Sequence, residues 1–277
     1  MITSWTPAGA GLVKHADGMW VTQEQRGVSY PDEGNAACFQ VEDRSFWFAH
    51  RNRCIQAVVE RLPPDGMFVD VGGGNGFVAK ALVDAGLDVT LVEPGPTGAR
   101  NARRRGVESV VCGTFEQAHF PKRSLGGIGV FDVIEHVEDD VAFVRTLCES
   151  LRPAGRLFVT VPAFGALWSD DDTAAGHYRR YSPETLRQTL ESAGLRVELM
   201  TCLFLFLPLP VFIFRRIPSL LGIRRTESEH AAKEHQASNA MVRSLLGAAL
   251  DYELRALNRG QTFRFGGSVL AVATPVS

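Results

Sequence analysis

Residues 67–94 read MFVDVGGGNGFVAKALVDAGLDVTLVEP, and the order of events inside that stretch decides the fold. A short apolar run, 67–71, meets a glycine-rich turn, Asp70-Val71-Gly72-Gly73-Gly74-Asn75-Gly76. The helical stretch FVAKALVDAG follows at once, and a second apolar run, DVTLVEP (88–94), follows that. Strand, tight turn, helix, strand is a βαβ unit, whose right-handed crossover leaves the strands parallel. Glycines in the turn supply φ > 0 and let the backbone approach a ligand. The helix N-terminus behind them favours a negative group such as a carboxylate. Asp70 stands two residues before the first glycine, where it can accept hydrogen bonds from an ammonium group. Glu93 closes the next strand, placed to accept both hydroxyls of a ribose. No Lys-Ser/Thr pair follows the glycines, which excludes a P-loop, but the glycine spacing alone does not separate this turn from NAD and flavin sites.

The alternation continues outward. SVVCG (109–113), GIGVFDV (127–133), GRLFVTVP (155–162), LRVELMTCLF (195–204) and GGSVLAVATP (266–275) read as five further strands. An Arg-rich helix follows the second strand, and DDVAFVRTLCESL follows the fourth. SPETLRQTLESAG (182–194) is a helix with Ser182 as N-cap, Pro183 at its first position and Gly194 just past its end. On the N-terminal side FWFAHRNRCIQAVVERL (46–62) reads as a helix stopped by Pro63-Pro64. The expected class is α/β: a doubly wound, Rossmann-like, seven-stranded and mostly parallel sheet. Residues 1–45 read as an irregular arm, 46–204 plus 263–277 as the core, and 205–262 as an apolar and helical insertion.

Of the 277 residues, 45% are hydrophobic and 22% charged, as in a globular chain with a sizeable core. That apolar content argues against disorder. The 29 Lys and Arg against 31 Asp and Glu leave a net charge of −2, which gives no support to electrostatic wrapping of nucleic acid. Cys38, Cys54, Cys112, Cys148 and Cys202 form no CxxC pair, so neither a disulfide framework nor a zinc knuckle is indicated. A reducing, cytoplasmic setting is expected, and MITSWTPAGAG lacks the basic start and apolar run of a signal peptide.

Asp70–Gly76, Glu93-Pro94, FDVIEHV (131–137) and LRPAGRLFVTVP (151–162), in this order and spacing, resemble the motifs of class I S-adenosylmethionine-dependent methyltransferases. The match covers about residues 46–204 and the last strand. The resemblance implies five parallel strands followed by an antiparallel hairpin of the last two, with S-adenosyl-L-methionine as cofactor and S-adenosyl-L-homocysteine as product. It places Asp70, Gly72, Gly73 and Gly74 at the methionine end, Glu93 at the ribose and Pro94 beside the adenine. Gly113, Thr114 and Phe115 would flank that ring, with Thr114 where many relatives carry an acid. Phe131 and Asp132 would close the cofactor floor.

Methyl transfer is an in-line displacement that needs an aligned nucleophile and, for a hydroxyl, often a base. Asp132, Glu135, His136 and Asp139 share a face if a helix starts at the end of the fourth strand. Asp132-Val-Ile-Glu135-His136 resembles a segment of ubiquinone-pathway O-methyltransferases. His136 reads as a base, the cluster as a cation site, or the segment as loop structure alone. No metal ion is expected. The loop AFGALWSDDDTAAGHYRRYS (163–182) offers His177 as a second base and Trp168, Tyr178 and Tyr181 as acceptor contacts. Arg179 and Arg180 can pair with an anionic acceptor group, balanced by Asp170, Asp171 and Asp172. In the helix 46–62, Arg53 is expected to hold the methionine carboxylate.

LFLFLPLPVFIF (203–214), followed by Arg215 and Arg216, is too short and too broken by Pro208 and Pro210 to span a membrane. Three readings stay open: contact with a membrane surface with Arg215, Arg216, Arg224 and Arg225 facing phosphates, a wall for an apolar substrate, or packing against a partner or the helix 236–258. The apolar face of that helix holds Met241, Leu245, Leu246, Leu250, Leu254 and Leu257. The functional expectation is a cytoplasmic methyltransferase acting on a small or lipid-like acceptor, with oxygen favoured and a His base, and with peripheral membrane contact through 203–216 left open. N- or C-methylation of a natural-product intermediate, and a non-catalytic S-adenosylmethionine-binding partner protein, are the alternatives. No nucleic-acid partner is expected, and a homodimer stays open.

Overall fold

In the computed structural model the described residues are 5–22, 32–220 and 240–276. Nine strands form one sheet: β1 Val13–Lys14, β2 Trp20–Val21, β3 Phe68–Val71, β4 Val89–Glu93, β5 Ser109–Cys112, β6 Leu125–Phe131, β7 Leu151–Pro162, β8 Leu195–Leu203 and β9 Ser268–Pro275. Their order is β1-β2-β5-β4-β3-β6-β7-β9-β8. The strands from β2 to β7 pair in parallel. β9 enters antiparallel between β7 and β8. β3, β4 and β6 are buried along their whole length, which is why they read as mostly apolar or glycine runs, with Asp70, Thr90 and Glu93 as the polar members.

The strand count differs from the seven expected because the N-terminal arm adds a short hairpin. β1 pairs antiparallel with β2, and β2 pairs in parallel with β5. The same arm carries helix α1, Asp32–Val41. Two-residue strands are too short to show a period, so the arm looked irregular.

Successive strand residues face opposite core layers: Val69 and Val71 lie in one cluster, Phe68 in the other. On one face pack α5 (Asp140–Ser150) and α7 (Pro183–Ser192), through Val144, Leu147, Leu186 and Leu190. On the other pack α2 (Phe46–Arg61), α3 (Phe77–Asp84) and α4 (Pro96–Arg105). The long helix Ala240–Asn258 joins this second layer through Leu246, Leu250, Leu254 and Leu257, while Leu245 is exposed. A helical run follows β8 over 208–220. Residues 221–239, with Arg224 and Arg225, and the side chains of Arg215 and Met241 lie outside the described residues. No helix among the described residues is long and apolar enough to cross a membrane.

The strand order reverses at β3, flanked by β4 on one side and β6 on the other. Ligands of open α/β sheets bind outside the carboxyl ends of the strands at such a switch point, and the glycine turn follows β3 there.

Candidate active site

A cavity of about 1250 Å³ opens over the C-terminal ends of β3, β4, β6 and β7. Drug-sized ligands occupy pockets up to roughly 1,000 Å³, so the space suits a nucleoside cofactor together with a second molecule. The glycine turn forms one wall. Gly72 has φ +67°, and a Cβ there would lie 2.8 Å from Val133 Cγ2. Gly76 has φ +75°, and a Cβ would lie 2.8 Å from that of Ala102. Neither position accepts a side chain, so the turn stays thin against the cavity.

Asp70 lies beneath the turn, buried, and neither carboxylate oxygen has a hydrogen-bond partner. Burial pushes its carboxyl up to about 7, with Arg51 opposing and Glu93 adding to the rise. Glu93 is oriented by the backbone: Oε2 accepts from Gly74 N at 2.9 Å and Oε1 from Gly95 N at 2.7 Å. An ionised carboxylate only accepts, which suits it to hydroxyl donors. Gly73, Pro94, Phe115 and Phe131 also line the cavity. Thr114 lines it too, with its hydroxyl accepting from Gln117 N at 3.4 Å.

Arg51 places a cation at the glycine-turn end of this cleft. Its guanidinium pairs with Asp132 and lies 4.7 Å from the Trp47 ring centroid. Burial lowers its pKa to about 10, with Glu42, Glu135 and Asp70 pulling it back up, so it stays charged. Arg53, expected in this place, is half exposed, pairs with Asp251 at 3.1 Å and does not line the cavity. Two residues along a helix turn about 200°, so Arg51 and Arg53 cannot share a face. The apolar face Cys54, Ile55, Val58 and Val59 extends back to Arg51, and that periodicity was the legible signal.

Asp132 and Asp139 do not share a helical face with Glu135 and His136. Asp132 has φ +58° and accepts from Thr160 Oγ1 at 3.1 Å. A single 3-10 turn, Ile134–His136, follows, and Asp139 caps α5 by accepting from Ala142 N. Glu135 and His136 do line the cavity. Glu135 is buried with neither oxygen partnered, and burial pushes its carboxyl up to about 8. Burial and then His177 push the His136 imidazole down to about 4.

The loop after β7 brings the expected His177 and Arg180 to the cavity, but not the expected aromatic contacts. Leu167, His177 and Arg180 line the cavity. His177 Nδ1 is 2.9 Å from Asp172 Oδ1, which also accepts from Arg180 Nε at 2.7 Å. Burial alone would raise the Asp172 carboxyl, but the His177 and Arg180 hydrogen bonds hold it down at about 2. An ionised carboxylate only accepts, so His177 donates from Nδ1, which makes Nε2 the acceptor of the neutral ring. The His136 ring meets His177 edge-on, with centroids 4.7 Å apart. Glu135, His136 and His177 bring ligand atoms within 4.8 Å of one another, a donor set that also suits a divalent cation.

Trp168, Tyr178 and Tyr181 are not among the cavity-lining residues. The Tyr181 hydroxyl donates to Asp140 at 2.6 Å and pins the loop to α5. Tyr178 is exposed, its backbone N–H bonded to Glu135 O. The Trp168 carbonyl accepts from Arg216. Arg179 is held by Asp140 and Glu138 O. The Tyr181 and Arg179 side chains thus shape the loop.

Two flanking segments complete the walls. From the arm come Asn35, Cys38 and Glu42. Asn75 donates to Asn35 O at 2.9 Å and Glu42 Oε1 at 3.0 Å, and Arg105 pairs with Glu42 and Asp43, so α1 is fastened across the glycine turn. From the insertion come Leu207, Pro210 and Val211. The outward side of that run exposes Leu209, Phe212, Ile213 and Ile217.

Residues 44–199 match the family model of a methyltransferase domain. The ubiquinone biosynthesis O-methyltransferase of Methylobacterium sp. (strain 4-46) is 29% identical over 147 residues, 47% of this chain and 59% of that protein. Its counterpart in Xanthomonas axonopodis pv. citri (strain 306) is 30% identical over 164 residues, 52% and 69% of the two chains. The chain thus spans about three fifths of the first relative's length. A crystal structure of an S-adenosylmethionine-dependent methyltransferase from Thermotoga maritima shares the fold, at TM-score 0.54 and 19% identity over 87% of this chain and 94% of that one.

Proposed function

The chain belongs to the class I S-adenosylmethionine-dependent methyltransferases, and from that premise we propose that it methylates a hydroxyl oxygen of a small, apolar acceptor with His177 as base. When bound, S-adenosylmethionine supplies a methyl group on a positively charged sulfur. The residues present fit that cofactor. Asp70, a buried carboxylate without a partner, suits its ammonium, and Arg51 suits its carboxylate. Glu93 receives the ribose hydroxyls, while Pro94, Thr114 and Phe115 flank the adenine. Gly72, Gly73 and Gly74 allow close approach, and Phe131 and Asp132 form the floor.

The acceptor enters between His177 and the wall of Leu167, Leu207, Pro210 and Val211. Its oxygen forms the new bond to the methyl carbon as the carbon–sulfur bond breaks, and its proton passes to His177 Nε2. The observation that carries this reading is the Asp172–His177 hydrogen bond, which fixes the tautomer and steadies the imidazolium. His136 stays neutral beside it, because its lowered pKa makes it the weaker proton acceptor. The oxygen preference also draws on the ubiquinone O-methyltransferase relatives. For a lipid-like acceptor, the ridge of Leu209, Phe212, Ile213 and Ile217 would rest on a membrane surface beside the cavity mouth.

Calorimetric titration with S-adenosylhomocysteine, followed by a panel of phenols and alcohols with and without apolar tails, tests the proposal. The expected result is binding, and a product one methyl heavier on oxygen for tailed acceptors. Binding without turnover across the panel would support a non-catalytic role, and methylation on nitrogen or carbon would overturn the oxygen assignment.

A further inference from the structure

Glu253, on the long helix Ala240–Asn258, is fully buried and is not among the residues that line the cavity. Its Oε1 meets His50 Nε2 at 2.9 Å and accepts from Phe204 N at 2.8 Å, and its Oε2 accepts from Leu205 N at 2.9 Å. Cys54 Sγ lies 3.4 Å from the same imidazole nitrogen. These bonds converge on a backbone that needs holding. Phe204 has φ +61°, a left-handed conformation unfavourable for a bulky aromatic residue. Its ring is buried and stacks on Trp47, with centroids 5.6 Å apart and planes 8° apart. The Trp47 ring in turn carries the Arg51 guanidinium at 4.7 Å. Leu207, three residues beyond Phe204, begins the acceptor wall.

We propose that Glu253 is a positioning residue for the cofactor: by holding Phe204 in its left-handed backbone it seats Trp47, and through Trp47 it sets Arg51 at the methionine end. The inference rests on the reading of Arg51 given above. Phe204 is the element with two states. With the carboxylate in place it is left-handed and stacked. Without it the backbone relaxes to negative φ and the ring leaves Trp47. The long helix, which lies outside the segment matched by the family model, is then part of the cofactor site although it touches no ligand.

A double-mutant cycle on the full chain tests this, read as S-adenosylhomocysteine affinity at 20 °C beside the unfolding temperature. Glu253→Gln keeps the shape but turns one acceptor into a donor facing a backbone N–H. Affinity is expected to fall roughly tenfold, within the range for residues of one network. In an Arg51→Met background the same change should cost nothing further. Phe204→Leu, which removes the stacking ring and keeps Glu253, should reproduce the pattern and carries the cycle if Glu253→Gln fails to fold. A lower unfolding temperature with unchanged affinity overturns the proposal and leaves Arg51 standing, as does an equal loss in both backgrounds. No effect of Arg51→Met alone removes the Arg51 reading and this proposal with it.

Discussion

Acidification should weaken S-adenosylhomocysteine binding through one carboxyl group, Asp70. In the ligand-free cleft it is buried, unbonded, and titrates near 7 because burial disfavours the charge. The ammonium of the ligand favours the ionised form, so the carboxyl must shed its proton for binding, and its pKa in the complex lies well below 7. Above that pH the group is already ionised and affinity is flat. Below it, affinity approaches a fall of about tenfold per pH unit, roughly fiftyfold in all between pH 7 and pH 5, which corresponds to about 2.3 kcal/mol. Calorimetry at pH 5, 6, 7 and 8, in two buffers of different ionisation heat, gives both the slope and the proton released. Asp70→Asn should bind weakly and without the slope. The reasoning fails if affinity is constant across the range. It also fails if the slope survives in Asp70→Asn or begins near 8, where Glu135 titrates.

Four further outcomes are expected. Arg51→Met should lower S-adenosylhomocysteine affinity about 10- to 100-fold, as for loss of a charge-assisted pair. Arg53→Met, which breaks only an exposed pair with Asp251, should leave that affinity unchanged in the same titration. His177→Ala, and to a smaller extent Asp172→Asn, should slow methyl transfer by about 10²- to 10⁴-fold with cofactor affinity retained, measured as product formation with the best acceptor of the panel. Replacing Phe212 and Ile213 together by Ser should cut partition onto anionic lipid vesicles by at least about tenfold in co-sedimentation, given the apolar surface removed. Partition equal to that of the unaltered protein would sever the ridge from any membrane role.

Local chemistry made most of the frame legible. Asp70 to Gly76 between two apolar runs dictates a strand, a turn too tight for side chains and a helix. The same logic found Glu93 at the next strand end. What escaped notice depended on long-range geometry. The hairpin of Val13–Lys14 and Trp20–Val21 exists because β5 offers an open edge, which no local period reveals. Tyr181 looked like an acceptor contact because tyrosines often line pockets, yet Asp140, distant in sequence, claims its hydroxyl. Asp172 was read as a counter-charge for arginines, and its pairing with Arg180 agrees. That it also orients His177 follows only from the fold of the helix Asp170–Ala174 and the turn after it. Glu253 gave no local sign at all, since its partners are set by packing alone.

The place of β9 bears on how the molecule is made. Ser268–Pro275 is the last strand in the sequence but lies between β7 and β8 in the sheet. On a ribosome, β7 and β8 emerge long before the strand that joins them, and each waits as an open edge bearing apolar residues. The final register is a pairing of distant segments, the slow kind to find. A chain cut short before Ser268 would therefore be a substrate for chaperones and proteases rather than a weakened enzyme.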